Sequence, residues 1–344
     1  MRRNKMADHP TLQKEMIAEE FAQKVVRQNR RDKITKLSPA IVLLGLTAAF
    51  SVAAPGFFSV ANAMTILGQI ATPLVLALGL TFVVLTGSID LSIDGTMGLT
   101  GTVVGFLVMN NQNSMDLGLF GILIAVSIGG LMGLLIGTVY VKARIPSFMV
   151  SYGVSSIASG IAQSINGSLP ATIVDEGFRS LALSSFLGLP YITWISIAVF
   201  GVAYIIQEKT AFGRYLFAVG SDERIPKMSG VNVSRVKILA FVWAGLCTGL
   251  AGVIGAARLG QGTILIGRNN LFPTMTAVVV GGTLFSGGKG GVVNTLFGVL
   301  IITVLNDGLV LLGVQAELQK GIQGVIIVIA VAASIVRSRR LISK

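Results

Sequence analysis

Side chains able to do chemistry are few in this chain of 344 residues, and they lie far apart. Asp90 and Asp94 interrupt an apolar stretch within Thr86-Gly87-Ser88-Ile89-Asp90-Leu91-Ser92-Ile93-Asp94-Gly95, and Asp307 sits beside Asn306 in another. Carboxylates in such surroundings mark a proton relay, a polar subsite for a solute, or packing against a polar group of a neighbouring helix. A relay needs further Asp, Glu or His within the same apolar runs, and the sequence has none there. One histidine, His9, lies in the polar N-terminal stretch, and one cysteine, Cys247, in an apolar run. That excludes a His-based metal site, a His-dependent triad and an internal disulfide. Cys247 reads as a small packed residue. No catalytic residue and no metal site is expected.

Two glycine patterns invite comparison with nucleotide sites and fail it. Residues 281–291 hold six glycines and Lys289. A phosphate loop ending in Gly288-Lys289 requires Gly at 283 and Ser or Thr at 290, where Thr283 and Gly290 stand. Gly260-Gln261-Gly262 lacks the third glycine of a dinucleotide fingerprint, since 265 is Leu. The chain is therefore expected to carry no cofactor; if its work is energised by nucleotide, another polypeptide must do the hydrolysis. Gly129, Gly133 and Gly137, then Gly245 and Gly249, recur every four residues, a spacing that permits close helix contact rather than ligand binding.

The elements that must position these residues follow from composition. Hydrophobic residues make up 53% and charged residues 12%, against about 25% charged in a soluble domain. With a mean hydropathy of +0.79 and 42 glycines, the chain reads as an all-α membrane protein. Ten spans are predicted: 39–54, 63–86, 93–109, 117–141, 147–163, 191–207, 238–256, 272–287, 292–313 and 321–336. They form one membrane-spanning domain, 39–336, between a basic N-terminal tail (1–38) and a short basic C-terminal tail (337–344). Leu12, Met16, Phe21 and Val25 allow an amphipathic helix on the lipid surface, while a solvated tail fits the same residues. The net charge of +12 flanks apolar runs, a pattern of membrane topology rather than nucleic-acid binding. With the N-terminus cytoplasmic, 23 basic residues fall inside and 4 outside. Both termini are accordingly expected in the cytoplasm.

The stretches 86–95 and 281–291 each fall where an even-numbered span turns back at the cytoplasmic side, one in each half. This suggests an internal duplication of about five spans. Broken helices of this kind line wet paths in transporters; the plainer reading is a pair of tight turns in which glycine supplies positive φ. Asp90, Ser92, Asn306 and Asp307 are the candidate path residues. Gly87, Gly282, Gly287, Gly288 and Gly291 are read as serving backbone geometry. In the longest cytoplasmic loop, 208–237, Ser221 suits an N-cap, Asp222 and Glu223 a first turn, and Gly230 a C-terminal stop. Pro226 would then fall in the fifth helical position and shorten or kink the helix. Ile225 and Met228, beside Arg224 and Lys227, would make a compact knob; a solvated loop anchored by its charges is the alternative.

The motifs also carry a resemblance. Thr210-Ala211-Phe212-Gly213-Arg214, Ala218-Val219-Gly220 and Ser229-Gly230-Val231 resemble the cytoplasmic signature of ribose-type ABC importer permeases. Leu85-Thr86-Gly87 with Ile89-Asp90-Leu91-Ser92 is similar to that family's early motif. Gly281-Gly282-Thr283, Gly287-Gly288 and Asn306 with Gly308-Leu309 are similar to its late ones. The resemblance runs in order from about 39 to 336. It implies a ten-helix permease, paired with a second copy or a paralogue, in the bacterial inner membrane. It further implies a cytoplasmic ATPase, carrying ATP and Mg and docked on 208–237, and a periplasmic or lipid-anchored sugar-binding protein outside. Gly213, Arg214, Gly220 and Ser221 would serve the ATPase contact, together with Asp222, Glu223, Met228, Ser229 and Gly230. A branched-chain amino acid or nucleoside permease, and an ion-coupled carrier working alone, are the competing readings. The chain departs from the family pattern at Arg224–Met228, at Asp94 in place of a frequent glycine, and at Arg268–Pro273.

Overall fold

The computed structural model describes residues 38–167 and 169–342; His9 and the expected N-terminal helix or tail lie outside the described residues. Helices dominate. The first, α1, covers Ser38–Ala53. Then come α2 (Val60–Gln69), α3 (Ala71–Leu85), α4 (Ile93–Leu107), α5 (Gly118–Ala143) and α6 (Ser147–Asn166). After them follow α7 (Glu176–Leu183), α8 (Tyr191–Lys209), α9 (Ala211–Ser221), α10 (Arg224–Met228) and α11 (Val233–Leu259). A 3-10 turn (Ile264–Gly267), α12 (Leu271–Val280), α13 (Val292–Leu311) and α14 (Ala316–Ile342) complete the order. Among the described residues strand is confined to two-residue pairs: β1 (Ala171–Thr172) with β4 (Gln261–Gly262), and β2 (Ser185–Phe186) with β3 (Leu189–Pro190), both antiparallel.

A helix occupies part of each of the ten predicted spans, but among the described residues four are long and apolar enough to cross a membrane: α5, α8, α11 and α13. A fifth arises if α2 and α3, bent by 43°, count as one span. The bend has a local cause, because Pro73 in the first turn of α3 has no N–H to give to the carbonyl of Gln69. The predicted span 272–287 is helical only to Val280, where glycine takes over.

The core is built around α3 and α11. In α3 every residue except Pro73 is buried, so a helix apolar all round is surrounded by protein. The partner faces of α5 and α11 touch through their glycines. A Cβ on Gly129 would lie 2.3 Å from the carbonyl oxygen of Gly245, and one on Gly133 would lie 2.1 Å from that of Phe241. The four-residue glycine ladders are thus contact surfaces. Gly133→Ala should lower stability by about 2 kcal/mol or more, since backbone oxygen cannot swing aside. Thermal denaturation in detergent checks this against Gly153→Ala, whose added methyl meets nothing within 4 Å.

Loops gather at two opposite ends. At one, β1–β4, the Asn110–Ile173 bridge and the bond from Ile173 N–H to the Gly260 carbonyl (2.9 Å) join residues 108–117, 169–190 and 260–270. At the other lie 86–92, 144–146, 210–232 and 281–291, and here the candidate residues meet.

Candidate functional site

Two interrupted helices make this end. α3 closes at Thr86 with Gly87 at φ 74°, the Gly87 N–H reaching Val84 O and the Ser88 N–H reaching Val83 O. α12 closes in the same way: Gly282 is at φ 105°, its N–H reaches Val279 O, and the Thr283 N–H reaches Val278 O. Each is a left-handed glycine stop that satisfies the last carbonyls of its helix. The chain then runs unwound until α4 and α13 begin.

Unwound backbone inside a protein must find partners for its amides, and side chains provide them. Asp90, buried, accepts from the N–H of Ser92 at 2.8 Å, an Asx turn that leads into α4. Serines spaced by four on α6 take the others: Ile89 N–H donates to Ser147 Oγ (3.0 Å), Leu91 N–H to Ser151 Oγ (2.9 Å) and Gly95 N–H to Ser155 Oγ (3.2 Å). The sequence reading missed this stripe, although Ser-x3-Ser-x3-Ser on an apolar helix is its signal. Ser151→Ala would orphan the Leu91 N–H at a cost of about 1–3 kcal/mol. Faster hydrogen exchange at residues 89–92 would report it, and Ser156→Ala, on the exposed face, should leave exchange unchanged.

In the second break, Val292 N–H donates to Gln207 Oε1 (2.8 Å) and Gly291 N–H to Thr283 Oγ1 (3.2 Å). Gln207, buried at the end of α8, is another residue not singled out from sequence. Gly287, Gly288 and Gly291 have φ values of 80°, 71° and 143°. A Cβ on Gly291 would meet the Gln207 amide at 2.7 Å.

The two breaks touch each other and α9. Gly288 N–H donates to the carbonyl of Leu85 (3.0 Å). A Cβ on Gly220 would lie 1.8 Å from that oxygen and 2.5 Å from the Gly288 nitrogen. A Cβ on Gly287 would lie 2.7 Å from Gly87 N and 2.8 Å from Gly220 O. Gly87, Gly220, Gly287 and Gly288 therefore form one junction of bare backbone.

α9 starts on a Thr210 N-cap, whose hydroxyl accepts from Gly213 N–H, and Gly213 packs closely on the carbonyl of Gln207. Arg214 is exposed. The expected helix start at Ser221 is corrected: Ser221 ends α9 and returns its hydroxyl to Phe217 O. The next helix, α10, begins at Arg224, so Pro226 falls in its first turn, where no N–H is needed, and is buried. Ser229 caps it and Gly230 stops it at φ 79°. Ile225 and Met228 are 65% and 88% exposed, so an apolar knob does project. The Arg224 side chain donates twice to Asp222 and its backbone N–H once more, holding that carboxyl below the usual carboxylate range. Glu223 pairs with Lys237 of α11.

The other acids sit apart from the junction. Asp94 accepts from the N–H groups of Asn270 (3.1 Å) and Leu271 (2.8 Å), tying α4 to the start of α12. Asp307 accepts from the Asn62 amide (2.8 Å), and Asn306 from that of Gln323 (2.7 Å). Asp90 and Ser92 thus bond to each other while Asn306 and Asp307 bond to α14 and α2; the structure does not join the two pairs.

The family model described as "Branched-chain amino acid transport system / permease component" matches residues 62–331, most of the chain. The chain belongs to this family. Among curated proteins it is similar to the "Probable ABC transporter permease protein YphD" of Escherichia coli K12, 36% identical over 307 residues, covering 89% of this chain and 91% of that protein. The ribose import permease protein RbsC of the same strain is 35% identical, covering 85% of this chain and 91% of RbsC. The galactose/methyl galactoside import permease protein MglC of that strain is 33% identical, covering 88% and 96%. Together with its apolar helices, this makes the chain a multi-pass membrane protein of the permease kind.

Proposed function

We propose that the chain is the permease subunit of an ATP-driven sugar importer, forming the path for a monosaccharide or related polyol. Similarity to ribose and galactose permeases over nearly the whole chain supports the sugar. The observation that carries the mechanism is the contact of α9 with both broken helices at Gly220, because it gives an outside force a handle on both. A separate cytoplasmic ATPase, holding ATP and Mg, docks on the α9–α10 knob. When it closes, α9 presses on Leu85 and Gly288 and tips α3–α4 against α12–α13, alternating the access of the path. Serine-to-amide bonds at α6 suit such a motion, since side-chain acceptors exchange without unravelling a helix.

The wider assembly follows from the same reading. The chain crosses the bacterial inner membrane ten times with both ends in the cytoplasm, and the matching glycine stops of α3 and α12 favour a five-span duplication. A second copy or paralogue completes the path, and a sugar-binding protein delivers solute at the β1–β4 end. Asp90, Ser92, Asn306 and Asp307 lie along the moving elements. The family description mentions branched-chain amino acids, but the sugar relatives favour a carbohydrate cargo. The test is uptake by proteoliposomes holding the permease with its ATPase and binding protein. Uptake of a labelled monosaccharide that requires ATP is expected; uptake that persists without the ATPase and collapses with a proton uncoupler would overturn the reading.

A further inference from the structure

A chain of polar side chains links the knob to the first break by a second route. Glu223, beside α10, pairs with the Lys237 ammonium. Lys237, buried at the start of α11, also donates to the hydroxyl of Tyr140 (3.0 Å) and lies 5.0 Å from the centre of its ring. Ser88 Oγ donates to the same hydroxyl (3.2 Å), and Thr86 Oγ1, which donates to the carbonyl of Val83 (2.7 Å), lies 3.1 Å from Ser88 Oγ. Four elements are involved: the α9–α10 loop, α11, α5 and the unwound segment after α3. One end, Glu223, is exposed in a cleft of about 700 Å³ lined also by Tyr140, Arg144, Lys227 and Lys237. The other end, Thr86 and Ser88, is buried.

We infer that Tyr140 and Lys237 are positioning residues that relay displacement of the α9–α10 loop to the unwound segment 86–92. The physical reason is that the Lys237 ammonium, at the edge of this cleft, is held between Glu223 and Tyr140. If Glu223 moves with the knob, the pull on Lys237 passes to Tyr140, the other group that holds its ammonium. Tyr140 in turn orients Ser88, which stands two residues before Asp90. The Gly220 contact transmits a push, because backbones collide there; this relay transmits a pull, because hydrogen bonds resist separation. A loop that can both push and pull the same break drives it in both directions of a cycle. The inference rests on the reading of 208–237 as the ATPase-docking loop.

Tyr140→Phe is the discriminating variant, since it deletes one hydroxyl and keeps the ring that packs edge-on against Phe241 at 5.8 Å. In the reconstituted complex, assembly and ATP hydrolysis should stay as in the wild type while ATP consumed per solute rises about fivefold or more. Tyr152→Phe, an exposed ring on α6, should leave the ratio unchanged. Hydrogen exchange provides a readout independent of transport. Glu223→Gln should speed exchange across 86–92 in the otherwise wild-type complex and add nothing in the Tyr140→Phe background. An unchanged ATP-to-solute ratio in Tyr140→Phe would overturn the relay, as would exchange at 86–92 that ignores Glu223. A parallel loss of assembly, hydrolysis and uptake would reduce Tyr140 to a structural role and overturn it too. If the wild-type complex shows no ATP-driven uptake while the exchange link holds, the relay stands and the transport reading falls.

Discussion

Gly220→Ala is expected to abolish ATP-driven uptake. The added methyl would sit 1.8 Å from the Leu85 carbonyl oxygen and 2.5 Å from the Gly288 nitrogen, two backbone atoms bonded to each other. Neither can rotate away, so α9 must withdraw or the Leu85–Gly288 bond must open. Overpacking and the orphaned pair together cost about 3 kcal/mol or more, enough to shift the balance from closed to open junction about a hundredfold or more. The loss should be specific: the variant inserts in the membrane, while uptake falls to background. Gly201→Ala, on α8 with nothing within 4 Å of the added carbon, should transport normally. Full uptake by Gly220→Ala would show that α9 does not act through this contact.

The second large effect is expected at the knob. Ile225 and Met228 are apolar, exposed and adjacent on a five-residue helix braced by the Asp222–Arg224 pair. Exposed apolar groups in a polar loop fit a partner's pocket, and truncating such an anchor typically costs about 2 kcal/mol or more of binding. Ile225→Asp with Met228→Asp adds charge to that loss. The double variant should bind the ATPase at least about a hundredfold more weakly. Its amount in the membrane should be unchanged, because neither side chain supports the fold. Binding measured on the detergent-solubilised permease decides this. Wild-type affinity in the double variant would move the docking site elsewhere.

Much of this arrangement was legible from sequence where residue type alone dictates geometry. Gly87, Gly282, Gly287, Gly288 and Gly291 all hold positive φ in the structure, as expected of glycines that end helices or cross tight turns. The glycine ladders of α5 and α11 were legible because small residues every four positions make a flat helix face. Within 208–237 the helix that Gly230 stops is present as α10 but opens at Arg224 rather than after Ser221, and the helix before it, α9, was not foreseen. Ser221, Asp222 and Glu223 look like an N-terminus, yet Ser221 bonds backwards to Phe217 and Thr210 is the cap that matters, starting a helix that no glycine or proline announces. The partners of the breaks stayed hidden for another reason. Ser147, Ser151, Ser155 and Gln207 act on amides about 60 to 85 residues away, and local spacing carries no record of such distances. Asp307 shows the same gap: its acid was conspicuous, and its partner Asn62 was not.

The central claim is that a separate ATPase works this permease from the cytoplasm through the α9–α10 knob. Met228→Cys tests it most directly, since the native Cys247 is only 3% exposed and leaves the introduced thiol as the reactive one. With a membrane-impermeant maleimide, labelling is predicted in inside-out vesicles, none in right-side-out vesicles, and protection once the ATPase is bound. Labelling from the outside, or labelling that the bound ATPase leaves untouched, would contradict the account.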